Sequence, residues 1–467
     1  MKRISLLMMS LVLSVCMFAG QAKYVFYFIG DGMGLAEVVG AQYMLRQCET
    51  GEVGITPLCF AQFPYTGFAI NYSANSDVTD SSAAGTALAT GHKTNNGMLG
   101  VLPDGETPVY SVATWAKAAG RRVGVTSTVG INHATPAAFY AHSASRNDYY
   151  GIGEQLAAMD FEFFGGSDFL SGYPKDKPSL IEVAEKGGFT VVRGKKAYDE
   201  AKADADKMVM LFDRRTTDDE FPYGIEAQPG ELTIAEMTES AIDFLTKKNN
   251  KGFFLMVEGG KIDHGGHSND AAACLGDVIS MDEAVQVAYE FYKKHKNETL
   301  IVITADHETG GMALTNGAYE LHTDLLGCQK LSKHGFSEYL NKLRHEKKDK
   351  VTWDDVRKAL AENFGFWGKV KLSHDEEMAL YDEWYHSFAA NEKVKMVESW
   401  YYRDEPLSDL AVRILDKHAQ IGWVAGSHSG IAVPVYAIGA GAEQFTGQYD
   451  NTDIPKKIAK AAGYKVK

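Results

Sequence analysis

Short apolar runs recur along the chain, and most of them stop at a glycine or an acidic residue. Residues 24–29, YVFYFI, are apolar without interruption, as suits a strand buried on both faces. The run ends in Gly30-Asp31-Gly32-Met33-Gly34, and the periodic stretch from Leu35 to Arg46 predicts a helix. Residues 123–129, 189–192, 208–212, 253–257, 300–304 and 433–439 repeat the strand pattern. Helical stretches lie between them, among them 179–186 and a short helix after Pro136. A stripe of Ile234, Met237, Ala241 and Leu245 follows a Thr233/Glu236 capping box. A long helix is predicted from near Ser268 to about Lys294. The alternation predicts an α/β fold, a doubly wound, mostly parallel sheet flanked by helices.

Asp31, Glu258 and Asp306-His307 fall at or just after the carboxyl ends of three predicted strands. Open α/β sheets bind ligands along that edge, so residues distant in sequence should converge there. Unpaired buried carboxylates are costly, which argues against a plain core role. From about 310 to 425 the rhythm changes. Residues 333–420 read as charged helices, with capping signals at Thr352/Asp355 and Ser373/Glu376, and with Trp353, Trp367, Trp384 and Trp400 for apolar contacts. This region is expected to be a helical insertion near the site that supplies no ligand.

Composition changes little in this picture. Hydrophobic residues make up 45% of 467 positions and charged ones 23%, an ordinary globular balance. The length prior allows about three domains, but the single rhythm of strands favours one α/β domain over 23–467. The net charge of −14 argues against nucleic acid as a specific partner. Residues 1–22 carry Lys2-Arg3, an apolar run from Ile4 to Phe18 and a small-residue end, the form of a signal peptide. The run is too short to span a bilayer, and Val15 is a poor fit to lipid modification at Cys16. Export to the periplasm or medium is expected, with no transmembrane anchor after cleavage. Cys48, Cys59, Cys274 and Cys328 then remain, a number that permits two disulfides in three pairings.

Asp263 and His267 lie four residues apart around Gly265-Gly266, Asp306 and His307 are adjacent, and His428 sits in GSHSG. Imidazole and carboxylate donors without thiolate suit zinc, and carboxylate with hydroxyl suits magnesium. His92, His142, His295, His322, His334, His345, His374, His386 and His418 are read as core or surface residues. Residues 78–91, VTDSSAAGTALATG, place Asp80 and Ser81 before a block of small helix formers. Thr79 or Asp80 is the expected cap, and the unpaired N–H groups of such a helix attract anions.

VTDSSAAGT resembles the active-site signature of the alkaline phosphatases, with Ser81 in the nucleophile's place. FIGDGMG precedes it, and HATPAAFYAHSASR, VEGGKIDHGGH, TADH and GSHSG come after it, all in family order. The resemblance implies hydrolysis of phosphate monoesters through a phosphoserine at Ser81, with Asp80 beside it and Arg146 gripping phosphate. It implies one zinc on Asp263, His267 and His428, and a second on Asp31, Asp306 and His307. It also implies a magnesium on Asp31, Thr135 and Glu258. Homodimers are common in the family.

His133 and His264 stand where many bacterial members have aspartate and lysine, and resemble the animal enzymes there. An imidazole attracts magnesium less than a carboxylate does, and one with an ordinary pKa gains a proton near pH 6.5. Three rival readings fit the residues less well. A sulfatase is disfavoured because its Cys/Ser-x-Pro-x-Arg motif is absent around Ser81. A phosphodiesterase shares the metal ligands, but Arg146 favours a dianionic monoester. A non-catalytic phosphate- or metal-binding exported protein leaves Asp80-Ser81 without a purpose.

Overall fold

The computed structural model describes residues 21–215, 220–247, 250–348, 350–390 and 394–466, so almost all of the expected signal segment lies outside the described residues. Ten strands form one sheet: β1 Tyr24–Gly30, β2 Tyr65–Ile70, β3 Arg122–Ser127, β4 Phe163–Gly166, β5 Thr190–Arg193, β6 Met208–Leu211, β7 Phe253–Gly259, β8 Thr299–Ala305, β9 Val433–Gly439 and β10 Gly447–Asp450. Their order is β10-β2-β9-β8-β1-β7-β3-β4-β6-β5. All pairings are parallel except those of β9 with β2 and β8. Every residue of β1, β7 and β8 is buried, which is why these strands read as unbroken apolar runs rather than alternating ones.

The helices that matter for the site are α1 Leu35–Thr50, α2 Ser81–Thr90, α3 Ala134–Ala137, α4 Ile234–Thr246, α5 Lys261–His267 and α6 Ala271–Lys294. Four more belong to the inserted region: α7 Lys333–Glu346, α8 Trp353–Phe364, α9 His374–Trp384 and α10 Pro406–Ala419. Capping boxes occur at Thr233/Glu236, Thr352/Asp355 and Ser373/Glu376, where the sequence places them. No described helix is long and apolar enough to cross a membrane.

The pattern missed β2, β4 and β10. β2 and β10 lie at one end of the sheet and expose several of their residues, while β4 is only four residues, FFGG. The long helix expected from near Ser268 to about Lys294 is α6, Ala271–Lys294. Asn269 takes φ of 50° and Asp270 caps the new helix through the Ala273 amide, so α5 and α6 are separate. The insertion is not purely helical, since Val397–Glu398 pairs with Arg403–Asp404 and presents Trp400, Tyr401 and Tyr402 at the turn. Cys48, Cys59, Cys274 and Cys328 are all free thiols, so neither permitted disulfide is present.

Candidate metal centre and active site

Register brings the acidic residues together. Ile29 of β1 lies beside Glu258 of β7, and Gly30 lies beside Ala305 of β8, so Asp31 and Asp306 leave adjacent strands at the same level. Ser127 at the end of β3 is level with Glu258 and donates to its Oε2. Immediately after Asp31 the chain turns at Gly32, with φ of 73°. A Cβ there would lie 2.8 Å from the Asp263 backbone, so only glycine allows α5 to approach.

Ser81 opens α2 and is fully buried. Asp80 is its cap, accepting from the Ala83 amide at 2.9 Å, and Ser82 Oγ and the Gly97 amide also donate to it. Ser81 Oγ lies 3.2 Å from His307 Nε2. The same nitrogen is 3.3 Å from Asp31 Oδ1 and 3.3 Å from Asp306 Oδ2. Asp306 Oδ1 is held by the amides of Gly32 and His307. Asp31, Asp306 and His307 thus bring one donor atom each to a common space, with Ser81 at its edge.

A second group lies alongside. His267 Nδ1 sits 2.8 Å from the Gly426 carbonyl and His428 Nδ1 2.8 Å from the Thr79 carbonyl. Carbonyls only accept, so both rings carry their proton on Nδ1 and expose an Nε2 lone pair. Those two nitrogens stand 3.0 Å apart, and lie 3.4 and 3.6 Å from Asp263 Oδ1. Three lone pairs directed at one space repel one another unless a cation lies between them. Asp263, His307 and His428 also form such a group, so His307 borders both spaces.

A third group joins Asp31, His133 and Glu258, with Thr135 Oγ1 donating to Asp31 Oδ2 at 3.2 Å. Asp31 Oδ1, Glu258 Oε1, Asp306 Oδ2 and His133 Nδ1 are all buried without a hydrogen-bond partner. The three carboxylate oxygens, divided between the Asp31–Asp306–His307 group and this one, fit hard or borderline cations well, because buried polar groups otherwise find partners. A guanidinium only donates, so Arg146 Nη2 on His133 Nε2 leaves the ring proton on Nδ1, which is then no ligand atom. Electrostatics agrees. Burial first, then Asp306 and Asp263, push Asp31 well above the usual carboxylate range. Burial lifts Glu258 to about 8 and Asp306 to about 7. Bound cations would restore all of them to the ionised form.

Arg146 reaches the site from the loop after α3. Its Nη1 donates to Asp80 Oδ2 at 3.2 Å and its Nη2 lies 3.2 Å from His133 Nε2. Burial first, then the Arg146 charge, hold His133 down to about 3. Burial, with the Arg146 charge beside the ring, therefore keeps His133 neutral at pH 6.5, where an ordinary imidazole gains a proton.

Sequence reasoning missed Tyr401. Its hydroxyl donates to Asp263 Oδ2 at 3.0 Å, and its ring stacks on His264 with centroids 3.5 Å apart. Trp400 stacks on His267 at 5.5 Å. His264 Nδ1 in turn lies 2.9 Å from Glu220 Oε2, which also pairs with Lys261 Nζ at 2.8 Å. The inserted region therefore touches the centre through aromatic side chains. The one available signal was the WYY run at 400–402, which carries no spacing that marks it as near a metal.

The alkaline phosphatase family model matches residues 22–162 and 163–464. Alkaline phosphatase 3 of Bacillus subtilis is 31% identical over 96% of this chain and 90% of its own length. The human tissue-nonspecific isozyme is 32% identical over 61% of this chain and 63% of its own. Among solved structures, a cold-active alkaline phosphatase from Shewanella sp. superposes with a TM-score of 0.77 at 27% identity, covering 94% of this chain and 99% of that one. The enzyme from Thermus thermophilus gives 0.76 at 28% identity, covering 96% and 93%. Sequence and fold agree, and the chain belongs to the alkaline phosphatase family.

Proposed function

We propose that this phosphatase hydrolyses phosphate monoesters through a phosphoserine formed at Ser81. The carrying observation is the placement of Ser81 Oγ, at a helix N-terminus and 3.2 Å from the nitrogen that Asp31 and Asp306 share. Asp263, His267 and His428 would hold one zinc, and Asp31, Asp306 and His307 a second. Asp31, Thr135 and Glu258 would hold magnesium, with His133 at its margin. Bound there, these cations would supply Lewis-acid stabilisation and lower the pKa of a nearby hydroxyl group.

The chain's own residues set the geometry of the reaction. Asp80 fixes the first turn of α2 through Ala83 and Gly97, so Ser81 Oγ needs little reorientation before it attacks phosphorus in line. Arg146 is held by the same carboxylate, and its planar fork suits two phosphoryl oxygens. The unpaired amides of α2 face the anion from the serine side. The ester oxygen leaves opposite Ser81, and water then releases phosphate from the serine along the vacated path. Few contacts with the leaving group are needed, so a broad range of monoesters is expected.

The Antarctic TAB5 relative supports the reading of the third site. Two of its solved variants, with a histidine replaced by glutamate or aspartate, hold magnesium in a site named M3. His133 in this chain is proposed to attract magnesium less than a carboxylate in its place would. The test is the rate with a chromogenic monoester against the matching diester, before and after chelation, with metal analysis of the purified protein. A large excess of monoester activity that falls on chelation and returns with zinc and magnesium is expected. Equal rates on both esters, or activity indifferent to chelator, would overturn the proposal.

A further inference from the structure

The end of α1 is sewn to the start of the inserted region. Gln47 Nε2 donates to the Leu321 carbonyl at 3.2 Å, and Thr323 Oγ1 donates to Gln47 Oε1 at 2.8 Å. The next residue, Cys48, is exposed and points its sulfur at the short 3-10 helix Thr323–Cys328, 4.0 Å from the Asp324 carbonyl. A Cβ placed on Gly327 would stand only 2.9 Å from Cys48 Sγ. Cys328, half-buried, is the neighbouring residue on that turn. Both thiols feel the same ion pair, Lys369 with Asp324 at 2.9 Å, and both act on Lys369 in return. The other two cysteines have different surroundings. The backbone and Cβ of Cys274 crowd Gly265 in the core, and Cys59 lies against Asp282 of α6.

We propose that Cys48 and Cys328 form a disulfide when the protein meets an oxidising thiol–disulfide environment, clamping α1 to the inserted region. The oxidant is a disulfide, small or protein-borne. The thiolate of Cys48 attacks one of its sulfurs, giving a mixed disulfide and releasing one thiolate. The thiolate of Cys328 then attacks Cys48 Sγ, the second thiolate leaves, and the protons of both cysteines pass to the two released thiolates. Gly327, which carries no side chain, leaves Cys48 Sγ room on the face of the turn next to Cys328. Burial pushes both thiols above the usual cysteine range, so the link should form slowly without a catalyst. Its function is mechanical. α1 follows directly from the Asp31 turn and the inserted region carries Tyr401, so the clamp ties together two walls of the site.

The test equilibrates the purified full-length protein with oxidised glutathione, blocks remaining thiols by alkylation and maps non-reduced peptides by mass spectrometry. The expected result is a Cys48–Cys328 linked peptide and loss of alkylation at those two positions alone. Cys59→Ala should leave the link intact, and Cys48→Ala should leave Cys328 alkylatable or glutathionylated. Full alkylation of both cysteines after oxidation, or a linked peptide joining either to Cys59 or Cys274, would overturn the inference.

Discussion

Arg146→Ala removes the guanidinium that lies beside Asp80 and His133 next to Ser81, and the structure allows its cost to be worked out. The side chain is 13% exposed, so its contacts are little screened by water. Burial works against its charge, but Tyr401 and Asp80 outweigh that effect and hold its proton above the usual arginine range. Truncation leaves Asp80 its bonds from Ala83, Ser82 and Gly97, so the start of α2 should survive and the loss should be local to phosphate. A charge-assisted contact is worth about 1.5–3 kcal/mol, which corresponds to roughly 10- to 150-fold weaker inhibition by inorganic phosphate. Turnover should slow but persist, because the cations would carry most of the charge stabilisation. Arg146→Lys keeps the charge and loses the fork, and should fall between the parent and Arg146→Ala. The assay is competitive inhibition by phosphate at fixed ionic strength, with metal content measured on the same samples. Unchanged inhibition constants with intact metals would refute the assignment of Arg146 as the phosphate clamp.

Other substitutions separate the remaining roles. Tyr401→Phe leaves the buried Asp263 Oδ2 without the Tyr401 hydroxyl, at a cost of about 1–3 kcal/mol. Zinc should therefore transfer faster to a competing chelator, and an unchanged transfer rate would remove Tyr401 from the account. His133→Asp adds a negative charge beside Asp31 and Glu258, so magnesium should bind more tightly after chelation. Equal affinities would mean that His133 does not face the third site. Because His133 is held down to about 3, lowering the pH from 8 to about 6 leaves it neutral, and magnesium titrations should show no step near 6.5 that is absent from the aspartate variant. Alanine at His322, His334, His374 or His386 should leave zinc content unchanged. Loss of one equivalent in any of them would place a ligand in the inserted region.

The centre of the sheet was legible because its strands are buried on both faces and so carry no polar interruption. Asp31, Glu258 and Asp306 stood out for the same reason, as the first charged residues after such runs. Register did the rest, and register is not written in any one strand. The sheet-end strands escaped notice because they expose several residues, and β4 because half of it is glycine. Asp263, His267 and His428 were visible through their glycine settings. The carbonyls of Thr79 and Gly426 that fix the two ring tautomers were not, since a backbone acceptor has no sequence signature. Tyr401 was hidden in a region whose aromatic residues mostly serve packing, such as Trp353 against Trp367 and Trp384. The shifted pKa of His133 was likewise out of reach, because it depends on burial of the ring and on Arg146 folding back beside it.

The most direct test of the account is to trap the covalent intermediate. The metal-loaded protein is mixed with a phosphate monoester, quenched in acid within one turnover and digested, and the phosphorylated peptide is sequenced by mass spectrometry. The account predicts a single phosphoryl group on Ser81, absent from Ser81→Ala, whose zinc content matches the parent. A phosphoryl group on another residue, or full activity in Ser81→Ala, would contradict it.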